Sequence, residues 1–257
     1  MELTNAIRKT ISSLDSSKGR RETGWFKAEG MKCVRDTLGH FRLQMLIVSA
    51  ERFESIKKED SVIGKIDPAR IAVAPRRLFA GMSHLSTPCD IIAVYEIPDT
   101  GLDYGKMKDS LVLALDGVQD PGNLGTIMRA ADWFGVHNII CSEDCADALS
   151  PKSVMASMGA VSRVRPVRCN IEEAITAIGT PVYGTALQGE NIYKARLSST
   201  GVIVMGSEGR GVSDKIRRLF SRELFIPSYP PGDSTSESLN VGMATSIILS
   251  EFRRRLY

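Results

Sequence analysis

From Leu111 onward the sequence alternates short apolar runs with stretches of helical periodicity, and this alternation constrains the fold more than any other feature of the 257 residues. The segments Leu111–Leu115, His137–Cys141, Val164–Val167, Val182–Ala186, Val202–Met205 and Glu223–Ile226 read as strands. Between and after them the apolar spacing predicts helices at Leu124–Phe134, near Pro151–Met158, at Ile171–Ile178, at Asp214–Phe220 and at Glu237–Leu256. Parallel strands need a long crossover, which a helix supplies, so strands separated by helices imply a parallel sheet. The expected fold is α/β, with that sheet covered on both faces.

The first 96 residues carry a looser mixture of the same signals: a helix-like stretch from Glu29 to Leu38, apolar runs at Leu43–Val48, Val62–Ile66 and Ile91–Tyr95, and a helix opened by Pro68. They suggest a smaller α/β domain. Ile97–Asp109 (IPDTGLDYGKMKD) mixes proline, glycine and aspartate without periodicity, the mark of a connection. The boundaries are therefore placed at residues 1–97, a linker at 98–109, and a second domain at 110–257.

Composition excludes several classes. Lysine and arginine total 33 against 30 acids, a formal charge of +3, so a chain-wide nucleic-acid footprint is missing and any basic patch must be local. One candidate is the stretch 1–35, with eight basic residues (Arg8, Lys9, Lys18, Arg20, Arg21, Lys27, Lys32, Arg35) and four acids. It reads either as a solvated helix followed by a loop or as an arm facing nucleic acid. No apolar run approaches the roughly 20 residues of a membrane span, and the first residues lack the pattern of a secretory signal, so a cytoplasmic protein is expected. Five scattered cysteines form no CxxC pair and read as core thiols.

Every segment with chemical content follows a strand, where open α/β sheets bind ligands. In LVLALDGVQDPGNLGTIMRAADWFGV (111–136), Asp120–Asn123 is a turn with Asn123 as the expected N-cap, and an apolar stripe leaves Arg129 off the buried face. Asn123 and Arg129 could then reach one anionic group, or Arg129 could be an ordinary solvated arginine. In VIVMGSEGRGVS (202–213), a strand runs into Gly206, Gly209 and Gly211, with Glu208 and Arg210 between them. The order G-x-x-G-x-G is neither the dinucleotide fingerprint nor a P-loop. In LFIPSYPPGDSTSESLNVGMATSIILSEFRRRLY (224–257), Ser238 and Asn240 fall at the expected first turn of the last helix, and Arg253, Arg254 and Arg255 at its end, where the helix dipole accounts for them. Three histidines in unrelated contexts form no metal cluster, and there is no G-x-S-x-G elbow.

Together and in this order, the three segments resemble the three motifs of the SpoU (TrmH-like) family of RNA ribose 2′-O-methyltransferases, within the SPOUT superfamily. DPGNLGTIMRAADWFGV looks like the first motif, VIVMGSEGRGVS like the second and IPSYPPGDSTSESLNVGMATSIIL like the third. SPKSVMASMGAVSRVRPV is similar to the family's intervening segment, and FKAEGMKCVRDTL to its N-terminal ribosomal-protein-like substrate-binding domain. The proline-rich loop Ser228–Glu237 is longer than the usual third motif.

The resemblance implies a deep trefoil knot, S-adenosylmethionine as cofactor, no metal, and a homodimer through the C-terminal domain with RNA as partner. It implies catalytic roles for Arg129, Asn123, Glu208, Ser238 and Asn240, and cofactor contacts from Thr185, Leu187, Gly206, Gly209, Ile226 and Leu239. The N-terminal domain favours ribosomal RNA over transfer RNA. A resistance-type methyltransferase and a non-catalytic RNA-binding protein are the alternatives, and a nucleotide-dependent oxidoreductase is disfavoured by the glycine order.

Overall fold

A computed structural model describes every residue except Thr100, Pro231, Gly232, Ser234, Thr235, Arg255 and Tyr257. Arg255 and part of the loop Ser228–Glu237 thus lie outside the described residues. The chain forms two compact units: residues 1–99 with 147–162, and residues 100–146 with 163–257.

The first unit opens with helices α1 (Asn5–Ser13) and α2 (Ser17–Thr23), then strand β1 (Trp25–Glu29), α3 (Met31–Thr37), β2 (Leu43–Ser49), α4 (Phe53–Glu59), β3 (Ile71–Ala74) and β4 (Ile91–Glu96). The sheet order is β1-β4-β2-β3, with β4 antiparallel to both neighbours and β2 parallel to β3. Ile11 and Leu14 join Met45, Ile47, Ala72, Phe79 and Ile92 in its core. The short helix α7 (Pro151–Ala156), reached late in the chain, packs on β1.

Several expectations change here. The stretch predicted as one helix from Glu29 splits, because β1 ends at Glu29 and α3 starts at Met31. Charge disguised that strand: Lys27 is fully buried, its ammonium 2.9 Å from both Asp15 Oδ1 and Glu29 Oε1. Val62–Ile66 is a 3₁₀ turn, and the helix opened by Pro68 is one 3₁₀ turn, Pro68–Arg70, capped by Asp67.

The second unit contains α5 (Tyr104–Lys108), β5 (Leu111–Asp116), α6 (Pro121–Trp133), β6 (Asn138–Cys141), β7 (Arg165–Arg168), α8 (Ile171–Ile178), β8 (Val182–Asn191), β9 (Gly201–Gly206), α9 (Asp214–Arg217), β10 (Arg222–Phe225) and α10 (Val241–Arg254). All six strands are parallel, in the order β10-β8-β9-β5-β6-β7. Successive side chains of a strand face opposite sides, so Val112 and Ala114 share one face with Val202 and Val204. That face packs on α8 and α9 through Ile171, Ile175, Ile178 and Ile216. The opposite face is covered by α6 and α10, which pack on each other and bury Leu124, Ile127, Met128, Ile248, Leu249 and Phe252.

The final helix begins at Val241 rather than Glu237, and α9 stops at Arg217, short of the predicted Phe220. At the C-terminal end, Arg253 donates to the carbonyls of Phe134 (2.7 Å) and Gly135 (3.1 Å), so it ties α10 to the end of α6 instead of resting on its own helix dipole. Cys33, Cys141 and Cys145 are buried, whereas Cys89 and Cys169 are half-buried. No helix among the described residues is long and apolar enough to cross a membrane.

Candidate active site

The turn after β5 begins the site. Asp120, not Asn123, is the N-cap of α6: its Oδ1 accepts from Asn123 N at 2.8 Å, and Pro121 takes the first helical position, where an N–H is not missed. Asn123 therefore sits inside the first turn with its side-chain amide free for other partners. Asn123, Thr126 and Arg129 follow at three-residue spacing, and Thr126 and Arg129 are exposed.

The turn after β9 is the second component. Ser207 and Gly211 exchange both backbone hydrogen bonds, at 3.1 and 2.9 Å, leaving Glu208, Gly209 and Arg210 at the tip. A Cβ on Gly206 would lie 2.2 Å from the Gly211 carbonyl carbon, and Gly211 has φ +68°, so the turn itself requires both glycines. A Cβ on Gly209 would meet nothing within 4 Å, so packing places no demand on it.

The start of α10 is the third. Asn240 Oδ1 accepts from Gly242 N (3.0 Å) and Met243 N (3.3 Å) and thereby caps the helix, which is why the helix starts at Val241. Its Nδ2 donates to Asn123 Oδ1 at 2.9 Å and to Glu208 Oε1 at 2.6 Å. Glu208 Oε1 also accepts from Asn123 Nδ2 (3.1 Å) and Val241 N (3.1 Å). Two amides and one carboxylate, 85 and 117 residues apart in sequence at their widest, thus close one hydrogen-bonded ring at the carboxyl edge of the sheet.

Oε2 of Glu208 takes no hydrogen bond from the described residues, so one carboxylate oxygen stays available to a ligand. Arg129 has no ion pair or hydrogen bond among them either, and its guanidinium faces solvent. The structure therefore brings Asn123, Glu208 and Asn240 together. Ser238 is not in the ring: it is exposed in the extended stretch before α10 and bonds none of the described residues.

The residues read as cofactor contacts lie around the ends of β8, β9 and β10. Gly184 beside Val204 is the last pair between β8 and β9, so Thr185 follows the end of that pairing, and Gly206 ends β9. The Thr185 hydroxyl donates to Val204 O at 2.9 Å and is used within the sheet. Ile226 follows β10, half-buried, while Leu187 and Leu239 are 73% and 41% exposed. Sequence reading missed Asp120 as the cap and the Val241 N–H on Glu208. A D-P pair opening a helical stripe is a visible capping signal for the first; the second has none, because it depends on which strand α10 returns to.

A parallel sheet with polar groups from three separate turns meeting on one carboxyl edge defines a ligand-binding α/β protein with a site for positioning hydroxyl or phosphate groups. Sequence and structure comparisons narrow this class. Residues 110–250 match the SpoU rRNA methylase family and residues 5–93 the MRM3-like substrate binding domain. The chain belongs to the SpoU rRNA methylase family. It is 29% identical over 250 residues to the 23S rRNA (guanosine(2553)-2′-O)-methyltransferase RlmP of Bacillus subtilis, covering 95% of each protein. It superposes on a TrmH-family protein of Porphyromonas gingivalis with a TM-score of 0.86 and 36% identity, covering 98% of this chain and 99% of that one. An AdoMet-bound rRNA methyltransferase of Sinorhizobium meliloti gives a TM-score of 0.81 and 29% identity, covering 100% and 98%.

Proposed function

We propose that the protein transfers a methyl group from S-adenosylmethionine to a ribose 2′-hydroxyl of ribosomal RNA. The Asn123–Glu208–Asn240 ring carries this reading, because it leaves one carboxylate oxygen of Glu208 free, while the helix that supplies Asn123 also presents the unpaired guanidinium of Arg129. Bound S-adenosylmethionine supplies an electrophilic methyl on a sulfonium. The chain's own task is to align the ribose oxygen with that methyl.

Glu208 Oε2 accepts a hydrogen bond, or the proton itself, from the 2′-hydroxyl. Its other oxygen is held by three N–H donors and cannot swing away. Arg129 grips the neighbouring phosphate and stabilises negative charge developing on the ribose oxygen. A guanidinium offers only hydrogen-bond donors, so it is no proton acceptor here. Asn123 and Asn240 hold the carboxylate, and Ser238 meets the nucleotide from the loop side.

The residues around β8, β9 and β10 fit the cofactor. Exposed Leu187 and Leu239 with Ile226 offer apolar faces to an adenine, and Thr185, Gly206 and Gly209 contribute mainly backbone groups, the usual makeup of such a pocket. By family likeness, the catalytic domain carries the deep trefoil knot that forms this pocket.

Residues 1–97 serve as the RNA-binding domain, 98–109 as the linker and 110–257 as the catalytic domain. The protein works as a cytoplasmic homodimer through the catalytic domain, where Trp133 and Met243 are 84% and 58% exposed and supply apolar surface for a second copy. RlmP and the S. meliloti protein, both named as rRNA methyltransferases, favour ribosomal over transfer RNA. Ribose-methylation mapping of total RNA with and without the gene tests the assignment. A lost mark in ribosomal RNA is expected, a lost transfer-RNA mark would reassign the substrate, and absence of methyl transfer in vitro would refute the reading.

A further inference from the structure

Arg210 stands two residues from Glu208 at the tip of the same turn, yet it takes no part in the ring. Its guanidinium Nη2 donates to Asp144 Oδ2 at 3.2 Å. Asp144 belongs to the loop after β6, and in the strand order β9-β5-β6 that loop and the turn after β9 are separated by the end of β5. The pair therefore reaches across Gly117, the residue that follows β5. A Cβ there would lie 3.3 Å from Asp144 Oδ2 and 3.5 Å from Arg210 Nη2, and Gly117 has φ +73°, so glycine keeps the path open.

Both ends of the pair are anchored. The Ser142 hydroxyl donates to Asp144 Oδ1 at 2.6 Å and accepts from Gly117 N at 2.9 Å, which ties the carboxylate to the ends of β6 and β5. That hydroxyl, ahead of Arg210, holds the Asp144 carboxyl below the usual carboxylate range, so the group is charged at neutral pH. At the other end, Arg210 N donates to Ser207 Oγ at 3.2 Å, inside the turn that Ser207 and Gly211 close with two backbone bonds. The two side chains are 71% and 48% exposed, and ion pairs so open to water add little net stability. What this pair supplies is geometry.

The ring by itself fixes Glu208 at one atom. Oε1 takes three N–H donors, and with that oxygen as a pivot the turn could still tilt and carry Oε2 with it. A second fixed point on the turn removes that freedom. A displacement of about 1 Å can cost on the order of a hundredfold in rate, so even a small tilt matters. We propose that Asp144 is a positioning residue: through Arg210 it locks the turn 207–211, so that Glu208 Oε2 keeps one place for the ribose hydroxyl. The use made of Oε2 rests on the function proposed above; the lock on the turn does not.

Residue-resolved hydrogen exchange and methyl-transfer kinetics on the full chain test this. Asp144→Asn should speed exchange of the Gly211 amide, which donates to Ser207 O, several-fold, while the Leu124 amide at the start of α6 keeps its rate. The same variant should lower kcat about tenfold, with KM for RNA and for S-adenosylmethionine within about twofold of wild type. Arg210→Lys, which can keep a one-point ion pair, should retain most of the rate that Arg210→Ala loses. Asp144→Asn combined with Arg210→Ala should be no slower than the slower single variant, because the two side chains act as one unit. Thermal melting should shift little in any of them, showing that all fold. Unaltered Gly211 exchange, an unchanged kcat, additive losses in the double variant, or a loss confined to KM for RNA, the mark of an arginine that grips phosphate, would overturn the lock. Absence of methyl transfer by the wild type would instead refute the proposed reaction, and the exchange rates would still decide the lock.

Discussion

Arg129 is an exposed charge in the site, and its lack of any partner among the described residues sets what its removal should do. Arg129→Ala disturbs no packing, so folding and S-adenosylmethionine affinity should stay near wild type. If its charge acts mainly as the transition state forms, turnover should fall by at least about a hundredfold, the loss typical of one preorganised donor. Arg129→Lys should recover little, because lysine lacks the planar fork that holds two phosphate oxygens. Single-turnover transfer of labelled methyl, paired with calorimetry and melting, checks this; near wild-type transfer by Arg129→Ala would leave it an ordinary solvated arginine. In the first unit charge is used differently. Arg20 is 3% exposed, held by Asp147 at 2.5 Å and by the carbonyls of Leu14 and Asp15, and Lys27 is buried with Asp15 and Glu29. Two of the eight basic residues read as a nucleic-acid arm are therefore internal struts.

At the level of elements, the site depends on how two helices begin. Asp120 caps α6 and so fixes the backbone from which Asn123 reaches Glu208. Asp120→Ala should cost about 1 kcal/mol of stability, measured by denaturant titration, and reduce turnover by loosening the ring. An unchanged midpoint would show that Pro121 alone starts the helix. In the first unit the tie between α3 and the end of α4 is electrostatic: Arg35 Nε lies 2.6 Å from Asp60 Oδ2. Burial would raise the Asp60 pKa, but Arg35 and the N–H groups of Val62 and Ile63 outweigh it and hold the carboxyl below its usual value. A carboxylate lowered on folding stabilises fully above its unfolded pKa, about 3.9, and loses that contribution as pH falls through the folded value. The melting difference between wild type and Asp60→Asn should therefore be largest near neutrality and shrink as pH drops below about 4; a difference independent of pH would deny the linkage.

Across the molecule as a whole, the two compact units are not two consecutive lengths of chain. Residues 147–162 belong with residues 1–99, and α7 packs on β1. Cutting the chain at the linker would strip α7 of that strand, so RNA binding is better probed by surface charge than by truncation. Lys9 and Arg21 are exposed and unpaired among the described residues. Replacing both by alanine should weaken RNA binding and lower the salt slope by about one unit for each phosphate no longer neutralised, without shifting the melting temperature. Unchanged affinity and slope would place the RNA elsewhere. How much of this was legible in the sequence follows from the range of the forces involved. Period-two and helical apolar spacing reports burial locally, and it marked all six strands of the parallel sheet, with α8 at its observed ends, Ile171–Ile178. The residue types at three turns likewise singled out Asn123, Glu208 and Asn240. Local spacing failed where partners outside the element overrode it: in β1, where Asp15 pairs with Lys27, and at the start of α10, where Asn123 and Glu208 hold Asn240 and Glu208 takes the Val241 N–H. The class of fold and the members of the ring are readable along the chain, because both are written in burial and residue chemistry. Folding in three dimensions settled the rest: that those three side chains share hydrogen bonds, that Ser238 stands outside them, and that Asp144 pairs with Arg210 across the end of β5. Each of those depends on strand order and chain return, which no local pattern encodes.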